Sequence, residues 1–140
     1  MKKKKFIPVN RPSLGKREKI YLIDAFNKNQ LTSGIYLGKF ENEFAKMHNK
    51  KFGISVSNGT AALEIAIKSL NLKKNSEVII PSFSIISTLL CVVKNNLKPV
   101  FVDCDLNTWN VTTSEIKKKI TNKTSAIIIT HIYGLPVDMK

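Results

Sequence analysis

The chain has 140 residues, 43% of them hydrophobic and 24% charged, which is typical of a globular protein of about one domain and excludes general disorder. The formal net charge of +13 could suit a nucleic acid or an acidic membrane, but every basic residue except Arg11 and Arg17 is a lysine, whereas base and phosphate recognition favours arginine, so we predict a solvated basic surface and neither partner. No apolar run is long enough for a membrane span and no Cys/His spacing suits a metal site, so Cys91 and Cys104 are predicted to be free thiols in a reducing cytosol.

The first part of the chain predicts an extended arm followed by two helices. Proline and glycine interrupt residues 1–15, which are therefore predicted to be an extended arm. Apolar residues recur at helical spacing in 16–29 and again in 39–48. The stretch 31–38 between these helices is predicted to be a loop.

After residue 51, short apolar runs alternate with helical patterns. Strands are predicted at 52–57, 77–80, 99–103 and 125–130. Helices are predicted from Thr60 to Leu70, at 81–96 and at 112–120, the last capped by Thr113 or Ser114. Because Val/Ile-rich strands that alternate with helices are typical of parallel sheets covered on both faces, we predict an α/β fold with a mainly parallel sheet and flanking helices. The pattern stops after a strand and a loop, so we expect an incomplete domain, the front portion of a longer protein.

The segment SVSNGTAALEIAI, residues 55–67, joins a strand end, a polar turn and a helix start. Gly59 permits close backbone approach, Thr60 supplies a hydroxyl, and the N–H groups of residues 60–62 lie in a first helical turn without intrahelical partners. Such N–H groups at the positive end of a helix suit an anion such as a phosphate. The alternative is a plain helix capped by Asn58 or Thr60, and the spacing alone does not choose between the two.

Four segments in order give the chain a family resemblance: SNGTAALEIAI, EVIIPSFSIISTLLCVV, KPVFVDCDLNTWNV and SAIIITHIYGLPVDM. Together they resemble the DegT/DnrJ/EryC1/StrS family of sugar aminotransferases, which depend on pyridoxal 5'-phosphate (PLP) and have the aspartate-aminotransferase fold, PLP fold type I. The resemblance covers nearly the whole chain from about Ile7. It implies that residues 16–140 are the amino-terminal part of the PLP-binding large domain, with 1–15 as an arm ahead of it.

The resemblance also implies a cofactor site. The family's Ser/Asn-Gly-Thr-Ala turn binds the PLP phosphate, which places Asn58, Gly59, Thr60 and Ala61 at that phosphate. The PSFSI segment matches the stretch where many members stack an aromatic ring on the pyridine face. That position here is Ile85, which offers an aliphatic contact without π stacking.

Other residues receive weaker assignments. The TSGIY stretch matches a loop near the sugar-nucleotide site, so Gly34 and Tyr36 are candidate substrate contacts. His131 follows a predicted strand at the usual ligand edge of an open α/β sheet, and we expect it to be buried and hydrogen-bonded. Trp109 is expected to pack and Asp103 to cap a turn.

The resemblance implies an enzyme whose catalytic groups lie elsewhere. The Schiff-base lysine and the carboxylate on the pyridine nitrogen are expected beyond residue 140, so no catalytic residue and no metal ligand is assigned here. The expected reaction moves an amino group from an amino acid, glutamate, to a keto-sugar nucleotide for surface-polysaccharide synthesis. The motifs most resemble those of the perosamine-synthase-like branch of the family, which implies GDP-4-keto-6-deoxymannose as the sugar-nucleotide substrate.

The resemblance further implies a cytoplasmic homodimer with sites completed across the interface. By itself the chain is expected to be inactive. The alternative is a non-catalytic remnant or phosphate-binding module.

Overall fold

The computed structural model describes residues 6–8 and 10–139. The chain divides into two compact units, Met1–Ser55 and Val56–Lys140, and each is described by itself. Part of the predicted arm, residues 1–5 and 9, lies outside the described residues. The described residues ahead of Lys16 belong to no helix or strand.

The first unit contains the helices α1 (Lys16–Asn27) and α2 (Ile35–Met47). Both are predicted from the sequence, but α2 begins at Ile35 rather than at 39. The reason lies in Gly34, whose φ of +151° turns the chain into the helix, while the Gln30 side chain accepts a hydrogen bond from the Ile35 N–H at 3.2 Å. Polar side chains close to the turn therefore start the helix before its apolar pattern does.

The strand predicted at 52–57 is wrong. These residues join no sheet in the part of the chain that the structure describes. The backbone there is held by a side chain instead, because the Ser55 N–H and Oγ both donate to Glu41 Oε1 at 2.9 Å. The carboxylate thus takes the place that a neighbouring strand would have.

The second unit is built on a three-stranded parallel sheet in which β1 lies between the other two strands. The strands are β1 (Glu77–Pro81), β2 (Lys98–Val102) and β3 (Thr124–Ile127). The predicted parallel α/β arrangement is confirmed. β3 ends before the predicted residue 130, although the Ile128 N–H still donates to the Ile79 carbonyl at 2.8 Å.

Helices cover both faces of this sheet. They are α3 (Gly59–Ser69), α4 (Ile86–Lys94) and α5 (Thr113–Lys119). On one face, Val78 and Ile80 pack with buried residues of α3 and α4. On the other, Ile79 and Val102 form a second cluster against which α5 places Ile116. Alternate residues of one strand therefore serve two cores, as a doubly covered strand requires.

Two helix starts differ from the prediction. α4 begins at Ile86 rather than at 81, because Pro81 still belongs to β1 and a turn follows it. α5 is capped by Thr112, whose Oγ1 accepts the Glu115 N–H at 3.3 Å, and not by Thr113 or Ser114. The helix therefore starts five residues later than predicted in α4 and one residue later in α5.

Four of these helices stop at an asparagine in the left-handed conformation. The residues are Asn29, Asn49, Asn71 and Asn96, with φ between +48° and +56°. After α1, α2 and α4 the two following N–H groups bond back to the last turn in the Schellman pattern, for example Asn29 to Phe26 and Gln30 to Ala25. Asparagine tolerates this conformation better than other non-glycine residues.

Candidate functional site

The amino end of α3 carries the turn that the sequence predicts to be either a phosphate site or a plain helix cap. Asn58 is extended, and its Oδ1 accepts the Ala61 N–H at 2.9 Å. Its carbonyl accepts the Ala62 N–H at 3.1 Å. The prediction that the N–H groups of 60–62 are open is therefore partly wrong, since among the described residues the unpartnered ones at this end are those of Gly59 and Thr60.

These two N–H groups lie where an anion can reach them. Asn58 and Gly59 are exposed, and a methyl group added at Gly59 would meet no heavy atom within 4 Å. Thr60 and Ala61 are half-buried. A helix cap and an anion site are thus compatible at this turn. The cap uses the N–H groups of Ala61 and Ala62 and leaves those of Gly59 and Thr60 open.

A second helix start touches the first. Thr60 Oγ1 lies 2.7 Å from Ser87 Oγ, and each residue is the second of its helix. Ile85 is the N-cap residue of α4 and is 66% exposed, so its side chain is available at the same corner of the unit. Of the five predicted cofactor residues, 58–61 therefore lie at the start of α3 and Ile85 lies at the adjoining start of α4.

Hydroxyl groups extend this corner to the strand ends. Ser84 Oγ lies 2.9 Å from Thr88 Oγ1 and 3.1 Å from Thr130 Oγ1. Ser84 follows β1 and Thr130 follows β3, so the corner is at the carboxyl edge of the parallel sheet, where ligands bind in this class of fold. The sequence interpretation missed these residues, although Ser and Thr are concentrated after β1 and Thr130 follows β3.

The residues beyond the strand ends differ in part from expectation. His131 is hydrogen-bonded, since its Nδ1 accepts the Val137 N–H at 3.0 Å, but it is exposed rather than buried, at the start of the short 3₁₀ helix Ile132–Gly134. Asp103 Oδ1 accepts the N–H of its own neighbour Cys104 at 2.9 Å. Trp109 packs its ring against Phe83 with centroids 5.1 Å apart.

The capping carboxylate in this loop is mainly that of Asp105. Its Oδ1 accepts the N–H groups of Asn107 at 3.0 Å and Thr108 at 2.9 Å. These hydrogen bonds, the one from Thr108 first, lower the pKa of Asp105 below its usual value. The turn is therefore organised two residues later than the sequence suggests.

The two candidate substrate residues lie in the first unit, at the start of α2. They border a depression of about 190 Å³ formed by residues of the 30–37 stretch. The Tyr36 hydroxyl donates to Asp24 Oδ2 at 2.7 Å, which raises the pKa of Tyr36. Lys28 and Tyr36 together lower the pKa of Asp24. The phenol proton is committed, so Tyr36 can only accept a hydrogen bond from a ligand.

The sequence profile of the DegT/DnrJ/EryC1/StrS aminotransferase family matches residues 12–140. The chain belongs to this family. GDP-perosamine synthase of Escherichia coli O157:H7 is 41% identical over 137 residues, which are 97% of this chain and 38% of that enzyme. The X-ray structure of an aminotransferase from Psychrobacter cryohalolentis aligns at 34% identity with a TM-score of 0.83, over 91% of this chain and 33% of that one.

A second solved structure also aligns with this chain. E. coli GDP-4-keto-6-deoxy-D-mannose-3-dehydratase with bound hydrated PLP aligns at 29% identity with a TM-score of 0.85, over 92% of this chain and 35% of that one. The predicted family and fold are confirmed. The chain spans about a third of the length of the DegT/DnrJ/EryC1/StrS relatives it matches. Within the described residues no helix combines the length and apolarity needed to cross a bilayer.

Proposed function

We propose that this chain forms the cofactor-phosphate site of a PLP-dependent aminotransferase that moves an amino group from glutamate to a keto-sugar nucleotide, for surface-polysaccharide synthesis. The observation that carries the proposal is the amino end of α3, where the open N–H groups of Gly59 and Thr60 adjoin the Thr60 hydroxyl and the start of α4. The GDP-perosamine synthase relative, at 41% identity, supports GDP-4-keto-6-deoxymannose as the sugar nucleotide.

The residues at this corner fit a phosphate dianion. The first turn of a helix carries about half a positive charge, concentrated on its unpartnered N–H groups. Asn58 holds the turn closed through its bond to the Ala61 N–H, so Gly59 and Thr60 present their N–H groups without rearrangement. Because Gly59 has no side chain, a phosphate oxygen can approach the backbone directly.

Ile85 would lie against the cofactor's ring. When bound, PLP supplies an electron-accepting pyridine ring and an electrophilic carbon that carries the amino group. The exposed aliphatic side chain of Ile85 would exclude water from one ring face, without the stacking that an aromatic residue adds. No lysine of this chain is assigned to the reaction.

Gly34 and Tyr36 are proposed to contact the sugar nucleotide in the same enzyme. Tyr36 would offer its phenol oxygen as an acceptor, because Asp24 already takes its proton. We further propose a cytoplasmic homodimer. The two free cysteines suit a reducing compartment, and burial raises the pKa of the Cys91 thiol, which keeps it in the unreactive form.

The phosphate site is tested by titrating the chain with pyridoxamine 5′-phosphate and with pyridoxamine, followed by ligand fluorescence. Hydrogen bonds to a charged group are expected to favour the phosphorylated amine by at least about tenfold. Thr60→Val removes one donor and is expected to weaken its binding about tenfold, with pyridoxamine unchanged. The matched control is Thr113→Val, an exposed threonine in the first turn of α5, which should change neither.

Equal affinity of the wild-type chain for the two amines would contradict the phosphate site. The alternative function, a non-catalytic phosphate-binding module, shares the preference for the phosphorylated amine. It differs in amino transfer. Because the Schiff-base lysine is expected beyond residue 140, the assay with glutamate and GDP-4-keto-6-deoxymannose uses a polypeptide extended to include that lysine, and it detects the aminated sugar nucleotide only if the enzyme proposal holds.

A further inference from the structure

Ser87 is hydrogen-bonded to Thr60 and is the more enclosed of the two residues. It is 8% exposed, whereas Thr60 is half-buried and its own N–H is one of the open groups. The two hydroxyl oxygens are 2.7 Å apart, the usual distance for a hydrogen bond between two hydroxyl groups. Ser87 is therefore too enclosed to be a first contact for a ligand, but it touches the residue that is.

The number of hydroxyl protons in the Thr60–Ser87 pair indicates which of the two residues donates the hydrogen bond. Thr60 Oγ1 and Ser87 Oγ make this hydrogen bond and no other within the described chain, so one of the two protons has no acceptor among those residues. A phosphate accepts hydrogen bonds and donates none when fully ionised. The arrangement that serves it has Ser87 donating to Thr60, which leaves the Thr60 proton to point outwards.

The charges of the two helices support an anion at this point. Thr60 and Ser87 are both second residues, so the positive ends of α3 and α4 adjoin each other. Thr88 N–H is bonded to the Ile85 carbonyl, while the N–H groups of Ile86 and Ser87 have no partner among the residues described. Two like partial charges held together repel, and an anion between them relieves that repulsion.

The geometry points to Ser87 as a positioning residue of the phosphate site: it fixes the rotamer and the proton of the Thr60 hydroxyl and ties the start of α4 to the start of α3. This inference rests on the proposed function. Ser87 acts through Thr60 and does not touch the phosphate. The site is then a two-helix cradle in which the second helix was not evident from the Asn-Gly-Thr-Ala turn.

A double-mutant cycle tests the assignment on the full chain, with pyridoxamine 5′-phosphate and pyridoxamine as probes. Ser87→Ala is expected to weaken binding of the phosphorylated amine about threefold to tenfold and to leave pyridoxamine unchanged. The double variant Ser87→Ala/Thr60→Val should bind no more weakly than Thr60→Val alone, because Ser87 has lost the group through which it acts. Ser69→Ala, which removes an exposed hydroxyl at the other end of α3, is the control.

The outcomes separate the two proposals. Losses that add in the double variant, or an equal loss for both amines in Ser87→Ala, would show a merely structural role and overturn the assignment. A wild-type preference for the phosphorylated amine that Ser87→Ala leaves undiminished overturns the Ser87 assignment alone. A wild-type chain without that preference overturns the phosphate site and, with it, the role of Ser87.

Discussion

Each of the two units of the chain is stabilised internally, and the two differ in how many apolar side chains they bury. In the second unit, Val78, Ile79 and Ile80 of the central strand are at most 1% exposed and contribute to cores on both faces. In the first unit, α1 has no buried residue and α2 buries only Ala45. The large apolar side chains of α1 and α2 stay open, with Ile20 61% and Met47 76% exposed.

The difference shows where buried packing decides the structure and where exposed polar contacts do. A buried strand depends on the side chains of the helices that pack on its two faces, so it responds to a loss of volume. The first unit depends on helix starts, the Asp24–Tyr36 bond and the turn at Gly34, so it responds to changes in backbone freedom and charge. Three substitutions or conditions test this contrast.

The largest effect is expected from truncating the central strand. Ile80→Ala leaves a cavity in the core of the second unit and should lower the free energy of unfolding by about 2–5 kcal/mol. Ile20→Ala, the same change at an exposed position of α1, should alter it by no more than about 0.5 kcal/mol. Urea unfolding followed by circular dichroism measures both. Similar losses would mean that α1 carries a core of its own.

A smaller effect is expected from a single methyl group in the first unit. Gly34→Ala places its Cβ 2.7 Å from the Gln30 side chain at a φ of +151°, and should destabilise the start of α2 by about 1–3 kcal/mol. Gly38→Ala is the matched control, since its Cβ meets nothing within 4 Å inside the helix. It should stabilise α2 by about 0.5–1 kcal/mol. Amide exchange at α2 reports both, and a neutral Gly34→Ala would remove the turn as a determinant.

The smallest effect is expected from pH. The pKa of Asp24 in the first unit and of Asp105 in the second lies below the ordinary 3.8, so each carboxylate stabilises its unit above that pH and loses this contribution as the pH falls through its lowered pKa. The pKa of Tyr36 is raised above 10.0, so the bond to Asp24 persists below that pH and is lost as the pH rises through the raised value.

Carbon-13 NMR titration of the carboxyl groups checks this prediction. Asp24→Asn should remove the contribution of Asp24 to the acid transition of the first unit, and should leave the contributions of Glu41 and Asp105 in place. An Asp24 carboxyl that titrates at or above 3.8 would show that Lys28 and Tyr36 do not hold it.

Much of the second unit could be predicted because its signals are local and repeated. The strand β1 is an unbroken apolar run and α3 has a good cap and a regular apolar face, so both were found close to their true limits. The apolar letters of 52–57 predict a strand equally well, yet no local pattern tells that Glu41 binds Ser55 there. Pairing partners are a tertiary property.

The candidate site divides in the same way. Asn58, Gly59 and Thr60 form a contiguous turn whose chemistry can be read directly, and the family resemblance sharpened it. Ser87 is 27 positions from Thr60 and lies inside an apolar helical pattern, so only the fold brings the two hydroxyls together. The open N–H groups likewise could not be assigned before the cap was known, because capping decides which ones are used.

Four helices end at an asparagine in the left-handed conformation, a position that glycine more often occupies. Glycine is the commonest residue at this position, but the chain has only six glycines and none of them directly follows these helices. Asparagine takes the helix-ending position instead, and Gly34 is a glycine whose φ of +151° in a turn a side chain would strain. A helix of this chain can therefore end without a glycine, so an apolar helical pattern that meets an asparagine is a candidate helix end.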